Sequence, residues 1–266
     1  MKIRVRKPKL LMKFYKYQGA GNDFVMIDNR DLKLSKSDNK LIEKLCDRRF
    51  GIGGDGLIFI QNHPDYDFEM VYFNADGFGS SMCGNGGRCA VAFAKKLGII
   101  NTKTRFLAID GEHEATIEKD DWVELKMSDV DVVEINDNHF VLNTGSPHYV
   151  TFVKDLDEID VFNQGRAIRY NDRFNEKGIN VNFVENVENG ISVATYERGV
   201  EDETLACGTG VTACAIANWI KNKTLTNIPI KAKGGDLSVR FEPNENNQFK
   251  NIWLCGGATY VFKGEI

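Results

Sequence analysis

The chain has 266 residues, enough for a large core in one domain or two. Its 34 basic residues are balanced by 38 acidic ones for a net charge of −4, which argues against nucleic acid or an anionic membrane as the main partner. No apolar run approaches the roughly 18 residues of a membrane-spanning helix, and six cysteines are few enough to be kept as thiols, so a cytoplasmic protein is expected.

The start, Met1 to Leu11, is basic, lacks an apolar signal region and reads as a leader before a natural beginning near Met12. Phe14 to Gln18 and Phe24 to Asp28 then read as short strands joined by the turn Gly19-Ala20-Gly21-Asn22-Asp23. Ser37 to Arg49 reads as a helix with Leu41, Ile42 and Leu45 on one face. Strands follow at Leu57 to Gln61 and Phe68 to Phe73, and Asn74-Ala75-Asp76-Gly77 is a turn signal. Gly84 to Leu97 reads as a helix that is apolar on every side through Cys89-Ala90-Val91-Ala92-Phe93-Ala94, so it should be buried all round. Strands at Thr104 to Ile109, Glu112 to Lys119 and Trp122 to Met127 complete a sheet wrapped around that helix.

The pattern then repeats. Gly21, Gly54, Phe59, Tyr72, Cys83, Gly84, Gly86, Thr102, Ala108, Gly111 and Glu118 each have the same residue type 124 positions later. Asn180 to Val184 and Ile191 to Tyr196 answer the strands beginning at Leu57 and Phe68, and Ala213 to Ile220 answers the apolar helix. The expected class is α+β, with two pseudo-symmetric half-domains, each a curved mixed or antiparallel sheet around a central helix. The boundaries fall at 1–129 and 130–255, and the tail 256–266, with a strand at Ala258 to Phe262, returns to the first half. A cleft between such halves is the natural place for a ligand.

Both halves set a cysteine at the mouth of the central helix, in Met82-Cys83-Gly84-Asn85-Gly86-Gly87-Arg88-Cys89 and Ala206-Cys207-Gly208-Thr209-Gly210. Unpaired N–H groups at a helix start favour negative charge, so these thiols are expected to have a lowered pKa and to flank a carboxylate site. Inversion of a carbon acid needs two acid–base groups on opposite faces, and two thiols meet that need with no cofactor. The amides of Gly84, Asn85, Gly208 and Thr209 would hold the carboxylate and stabilise the charge that develops on deprotonation.

Competing motifs are weaker. Gly51-x-Gly53-x-x-Gly56 follows a helix and precedes a strand, the reverse of a dinucleotide fingerprint, and is read as a turn. A zinc set from Cys83, Cys89, Cys207 and Cys214 lacks the short spacing of a tetrahedral site, and Cys89 and Cys214 read as core. No metal is expected. Of His63, His113, His139 and His148, only His148, in Gly145-Ser146-Pro147-His148, stands out as a support for the cleft.

These pieces, together with Gln18-Gly19-Ala20-Gly21-Asn22-Asp23-Phe24, Phe73-Asn74-Ala75-Asp76-Gly77 and Tyr196-Glu197-Arg198-Gly199, closely resemble the diaminopimelate epimerase family. The resemblance implies a pyridoxal-phosphate-independent epimerase that interconverts LL- and meso-diaminopimelate, on the route to lysine and cell-wall cross-links, with a small amino acid as its partner and a homodimer as an option. It makes Cys83 and Cys207 the two bases and puts substrate contacts on Asn22, Asn74, Asn180, Glu197 and Arg198, besides Gly84, Asn85, Gly208 and Thr209. The sequence departs from the family at Ser146, where Asn is frequent, at Gly56, where Gln is frequent, and in a longer loop at Val200-Glu201-Asp202. A two-cysteine racemase of proline or hydroxyproline stays open as an alternative. From another class, so does a redox-sensing or ligand-binding protein whose Cys83 and Cys207 join under oxidation. A phenazine-type isomerase fits less well, because it lacks the paired cysteines.

Overall fold

The computed structural model describes residues 11–80, 82–118, 121–223 and 225–266, so the leader expected over 1–11 and the end of the strand expected at Lys119 fall almost wholly outside it. In the first half, β1 (Lys13–Gly19), β2 (Asn22–Asp28), β3 (Gly56–Gln61), β4 (Phe68–Asn74), β5 (Lys103–Ala108), β6 (Gly111–Ile117) and β7 (Trp122–Lys126) enclose the helix α2 (Gly84–Lys96). A shorter helix, α1 (Asn39–Cys46), packs on the other face of the same sheet. In the second half, β8 (Val133–Ile135), β9 (Phe140–Asn143), β10 (Pro147–Val153), β11 (Asn180–Val187), β12 (Gly190–Glu197), β13 (Asp202–Thr204), β14 (Asn227–Ala232), β15 (Gly235–Pro243) and β16 (Phe249–Gly257) do the same around α4 (Gly208–Asn222). Here α3 (Val161–Arg169) lies outside, and β17 (Thr259–Glu265) ends the chain.

Pairing runs β17-β1-β2-β3-β4-β5-β6-β7 and crosses, through the antiparallel β7–β16 pair, to β16-β15-β14-β12-β11-β10-β9-β8. Counted outward from that joint the two halves have the same pairings, with β2/β3 and β4/β5 parallel in one and β10/β11 and β12/β14 parallel in the other. The strand β17 adds to β1 as β8 adds to β9.

The central helices are buried on all sides, as their apolar sequence requires: every residue from Asn85 to Ala94 is buried, and so is nearly all of Gly208 to Asn218. Small residues at Gly86, Ala90, Ala92, Ala94, Ala213, Ala215 and Ala217 let the sheet close tightly around them. The first helix is shorter than its pattern. Asp38 caps it by accepting from the Leu41 N–H, and Asp47 turns extended at its end. The glycine run from 51 to 56 is a turn, with Gly51 N–H on Asp47 O and Gly54 N–H on Cys46 O. All six cysteines are free, with Cys89 and Cys214 in the cores. No described helix is long and apolar enough to cross a membrane.

The repeat needs one correction. Leu57 pairs with Phe73, but Val181 pairs with Tyr196, one residue short of the uniform spacing. Tyr72 is therefore the counterpart of Thr195, Phe73 of Tyr196 and Asn74 of Glu197. The cause is a compensated pair of loop changes. The β11–β12 hairpin is one residue shorter than β3–β4, with Glu185 opposite Ser192 where Gln61 faces Glu69. The loop to Cys207 is one residue longer, which restores the spacing at the second helix.

Candidate active site

The outer helices are capped in the ordinary way, Asp38 accepting from Leu41 N–H and Asp160 from Asn163 N–H. The central helices are not. Their N-caps are Cys83 (φ −108°, ψ 123°) and Cys207 (φ −107°, ψ 113°), and neither makes a side-chain cap hydrogen bond. The first N–H groups of both helices are thereby left for something else.

These two bare ends meet. A Cβ placed on Gly208 would lie 3.6 Å from Gly84 Cα and 2.9 Å from Leu254 Cδ2, and one placed on Gly84 would lie 3.0 Å from the same Leu254 methyl. With glycine at both positions the ends touch and Leu254 packs against them; a side chain at either would stay in ordinary contact with the facing glycine but push the Leu254 methyl aside. Asn85 Nδ2 donates to Ala206 O at 3.1 Å, so the first turn of one helix is tied to the residue before the other cysteine.

The expectation of acidic thiols is overturned. Burial pushes Cys207 up to about 12, and the nearby Glu197 carboxylate adds to the rise. Burial also raises Cys83, against the Gly86 and Asn85 amides that favour its anion. Losing water costs a thiolate more than the helix end returns. Burial raises the Glu197 carboxyl as well.

On the first half's side, Cys83 Sγ lies 3.6 Å from Asn22 Oδ1, and Asn22 Nδ2 donates to Asp55 Oδ2 at 2.6 Å. Asp55 belongs to a charged network with Arg48, Asp23 and Lys16. Burial works to raise Asp23, but hydrogen bonds from Arg48 and Lys16 outweigh it and hold the carboxyl well below its usual range. Asn74 closes β4 opposite Gly56, next to Asp55, with no hydrogen bond to either thiol among the described residues.

The second half's wall is built differently. Asn180 donates to Ser146 Oγ at 2.9 Å and Pro147 O at 3.0 Å, and accepts from the Arg198 N–H at 2.9 Å. The Arg198 guanidinium reaches Lys177 O at 3.1 Å and Ser146 Oγ at 3.4 Å. Both amide hydrogens of Asn180 are thus taken within the protein, and it holds this wall together. Glu197 ends β12 beside them, opposite Asp202.

His148 does support the cleft, through an intermediary. It is buried, with Nε2 2.9 Å from Thr209 Oγ1, which lies 3.5 Å from Cys207 Sγ. Its Nδ1 lies 3.2 Å from Asn182 Nδ2, which also donates to Tyr149 O, while Asn182 Oδ1 accepts from Thr195. The Tyr149 carbonyl fixes the amide, the amide makes Nδ1 an acceptor, and Nε2–H then donates to Thr209. The Thr209 hydroxyl keeps its own hydrogen for the Cys207 sulfur. Burial holds His148 neutral, with its pKa down at about 3.

The sequence-derived residues thus fall into one neighbourhood: Cys83, Gly84, Asn85, Cys207, Gly208 and Thr209 at the junction, Asn22 and His148 one bond away, and Ser146, Asn180, Glu197, Arg198 and Asn74 at the strand ends around it. Asn182, Asp55, Leu254 and Arg88 had not been singled out for roles. A polar residue inside the apolar run Val181-Asn182-Phe183-Val184 was a usable signal, and so was an arginine in a helix otherwise apolar all round.

The doubled sheet around two head-to-head helices defines a fold class. A phenazine biosynthesis protein of the PhzF family from Bacillus anthracis shares it, with a TM-score of 0.74 over 97% of this chain and 99% of its own at 12% identity. A hydroxyproline epimerase from Agrobacterium vitis shares it with a TM-score of 0.68 over 98% and 94% at 11% identity. Sequence narrows the class. The family model for diaminopimelate epimerase matches residues 14–133 and 140–261. A diaminopimelate epimerase from Flavobacterium psychrophilum is 56% identical over 257 residues, 96% of this chain and 100% of that one. The chain belongs to the diaminopimelate epimerase family and is an isomerase.

Proposed function

We propose that this enzyme interconverts LL- and meso-diaminopimelate, for lysine and cell-wall synthesis in the cytoplasm, with Cys83 and Cys207 as its two bases. The observation that carries this is the pair of cysteines in the same N-cap conformation on helix ends that touch. One sulfur, as thiolate, removes the α-proton; the other, as thiol, returns a proton to the opposite face. The negative charge that grows on the substrate carboxylate is met by the amides of Gly84, Asn85, Gly208 and Thr209. Because burial favours the neutral form of both thiols, the base forms by loss of one thiol proton to water as the substrate enters, its α-ammonium bringing positive charge that stabilises the thiolate left behind. Reversing the reaction exchanges the roles, and this chemistry requires no cofactor.

The distal amino-acid group of diaminopimelate needs both signs of charge, and Glu197 and Arg198 supply them, with Asn22, Asn74, Asn180 and Ser146 as the polar remainder. The division into half-domains at 1–129 and 130–255, with 256–266 returning, belongs to the same proposal, supported by the pairing of β17 with β1. The balanced charge favours neither nucleic acid nor membrane as a partner, and a homodimer is compatible with the mechanism. Incubation with LL-diaminopimelate in deuterium oxide tests the reading. Formation of the meso isomer with deuterium at one α-carbon is expected. Inversion of proline instead would transfer the two-base mechanism to a different substrate, and no turnover with either would favour a binding or redox role.

A further inference from the structure

One buried charge remains unused. Arg88 is 0% exposed, inside α2, one turn below Cys83. Its Nη2 donates to Asn85 Oδ1 at 3.0 Å and its Nη1 to Gly84 O at 3.4 Å, while Nε has no partner and, among the described residues, no carboxylate lies within ion-pair distance. The guanidinium sits in a slot left by two glycines: a Cβ on Gly256 would lie 3.1 Å from its Nε, and one on Gly19 3.5 Å from Nη2. The titratable groups facing it are the thiols of Cys89, which is in the core of the same helix, then Cys83 at the helix mouth, then Cys255. A buried cation without an anion is costly, so its retention needs a reason.

The second half supplies the comparison. At the position matching Arg88 stands Thr212, whose Oγ1 donates to Gly208 O at 2.9 Å, as Arg88 Nη1 donates to Gly84 O. Both side chains reach back to the first carbonyl of their helix, but only one carries charge. We propose that Arg88 is the built-in counter-charge of the junction and makes Cys83, not Cys207, the thiol that ionises first. Arg88 is then a positioning residue, acting through the sulfur and through Asn85.

The surrounding groups are compatible with this. Cys83 faces the Gly86 and Asn85 amides, Glu197 of β12, Arg88 more weakly, and Tyr72 of β4, with Asp55 behind Tyr72 and Asn22. Cys207 faces Glu197, Thr209, the Gly210 amide, Cys83 and, deeper, Cys214, and no cation stands among the main influences on it from the described residues. Glu197 opposes both ionisations: at Cys207 it is the strongest influence after burial, whereas at Cys83 the two helix amides act more strongly than it does and Arg88 offsets part of it. The Asn22 oxygen, 3.6 Å from Cys83, accepts the thiol proton and works the other way, but a thiol is a weak donor and the contact is long. A full charge in a low-dielectric interior outweighs it.

The inference takes its two sulfurs from the two-base reading, and its test is made without substrate, so failure of one is distinguishable from failure of the other. The substrate-free enzyme is alkylated with iodoacetamide across a pH series, and the Cys83 and Cys207 peptides are quantified by mass spectrometry. The midpoint of each profile is compared, since its amplitude also reflects access. In the wild type the Cys83 midpoint should fall below that of Cys207; the reverse order overturns the proposal, whatever the variants do. Arg88→Met should move the Cys83 midpoint up by about one unit, the lower end of the effect of losing a nearby opposite charge, because the guanidinium sits on Gly84 O and Asn85 Oδ1 and not on the sulfur itself. Arg88→Lys should restore most of it. An Arg88→Met profile that changes in rate but not in midpoint would make the residue merely structural, and Thr212→Val should leave the Cys83 midpoint in place.

Discussion

Beneath the helix that begins at Cys83, the strands present Phe24 and Ile58; at the same places beneath the helix that begins at Cys207, they present His148 and Asn182. A Cβ on Gly86 would touch Ile58 Cδ1 at 3.1 Å, whereas one on Gly210 would meet Asn182 Oδ1 at 2.6 Å. Asn22 answers Ser146, Asn74 answers Glu197, Asn85 answers Thr209 and Arg88 answers Thr212. On the proposed two-base reading, the symmetric backbone at the junction would offer equivalent groups to the two faces of one carbon, and the asymmetric side chains around it would meet different parts of one substrate and tune each thiol separately.

The largest effects should come from breaking the symmetric part. Cys83→Ala and Cys207→Ala should each lower epimerisation by about two to four orders of magnitude, as for loss of a positioned acid or base. Both should leave the melting temperature near the wild-type value, since neither sulfur caps its helix. Chiral separation of the diaminopimelate isomers measures the loss, and full activity in either variant would sink the two-base reading.

His148 has an apolar counterpart, so one half should carry an acid sensitivity that the other lacks. Its pKa is lowered from 6.5 to about 3, so the unfolded chain binds a proton across that range and the native state does not. The associated stability is fully present above 6.5 and is lost progressively as the pH falls from there through 3, a change on the order of 5 kcal/mol. Denaturant unfolding at a series of pH values should show this slope above the range where carboxylates titrate, and His148→Gln should flatten it.

Gly84→Ala and Gly208→Ala test whether the joint is as symmetric as its geometry. Each drives a methyl group into Leu254, and each should cost about 1–3 kcal/mol of stability, to a similar extent, by thermal denaturation. A large difference between them would mean that one helix end can retreat and the other cannot. The smallest effect belongs to the asymmetric wall. Ser146→Ala removes an acceptor used by Asn180 and Arg198, worth about 0.5–1.5 kcal/mol. It should appear as a few-fold rise in KM for diaminopimelate, with kcat little changed.

Much of this was legible in the residues. The repeat, the two buried helices and the cysteine at the head of each follow from spacing and from helices that are apolar all round. The identity of the polar wall came from motif resemblance at Asn22, Asn74, Asn180, Glu197 and Arg198. Periodicity gave the helices better than the strand register, and the Tyr72–Tyr196 match was a coincidence of type. Two opposite single-residue loop changes cancel in the sequence count, while the strands between them shift by one.

By itself, then, the sequence determined that there are two like halves and which two thiols head their helices, because local pattern and composition act on each segment separately. Tertiary structure alone decided that those heads touch over Leu254, that burial raises the thiols instead of the helix ends lowering them, and that Arg88 lies in the joint with no carboxylate beside it among the described residues. Each of these depends on which groups exclude water from one another, and that is a property of the packed molecule and not of any segment of it.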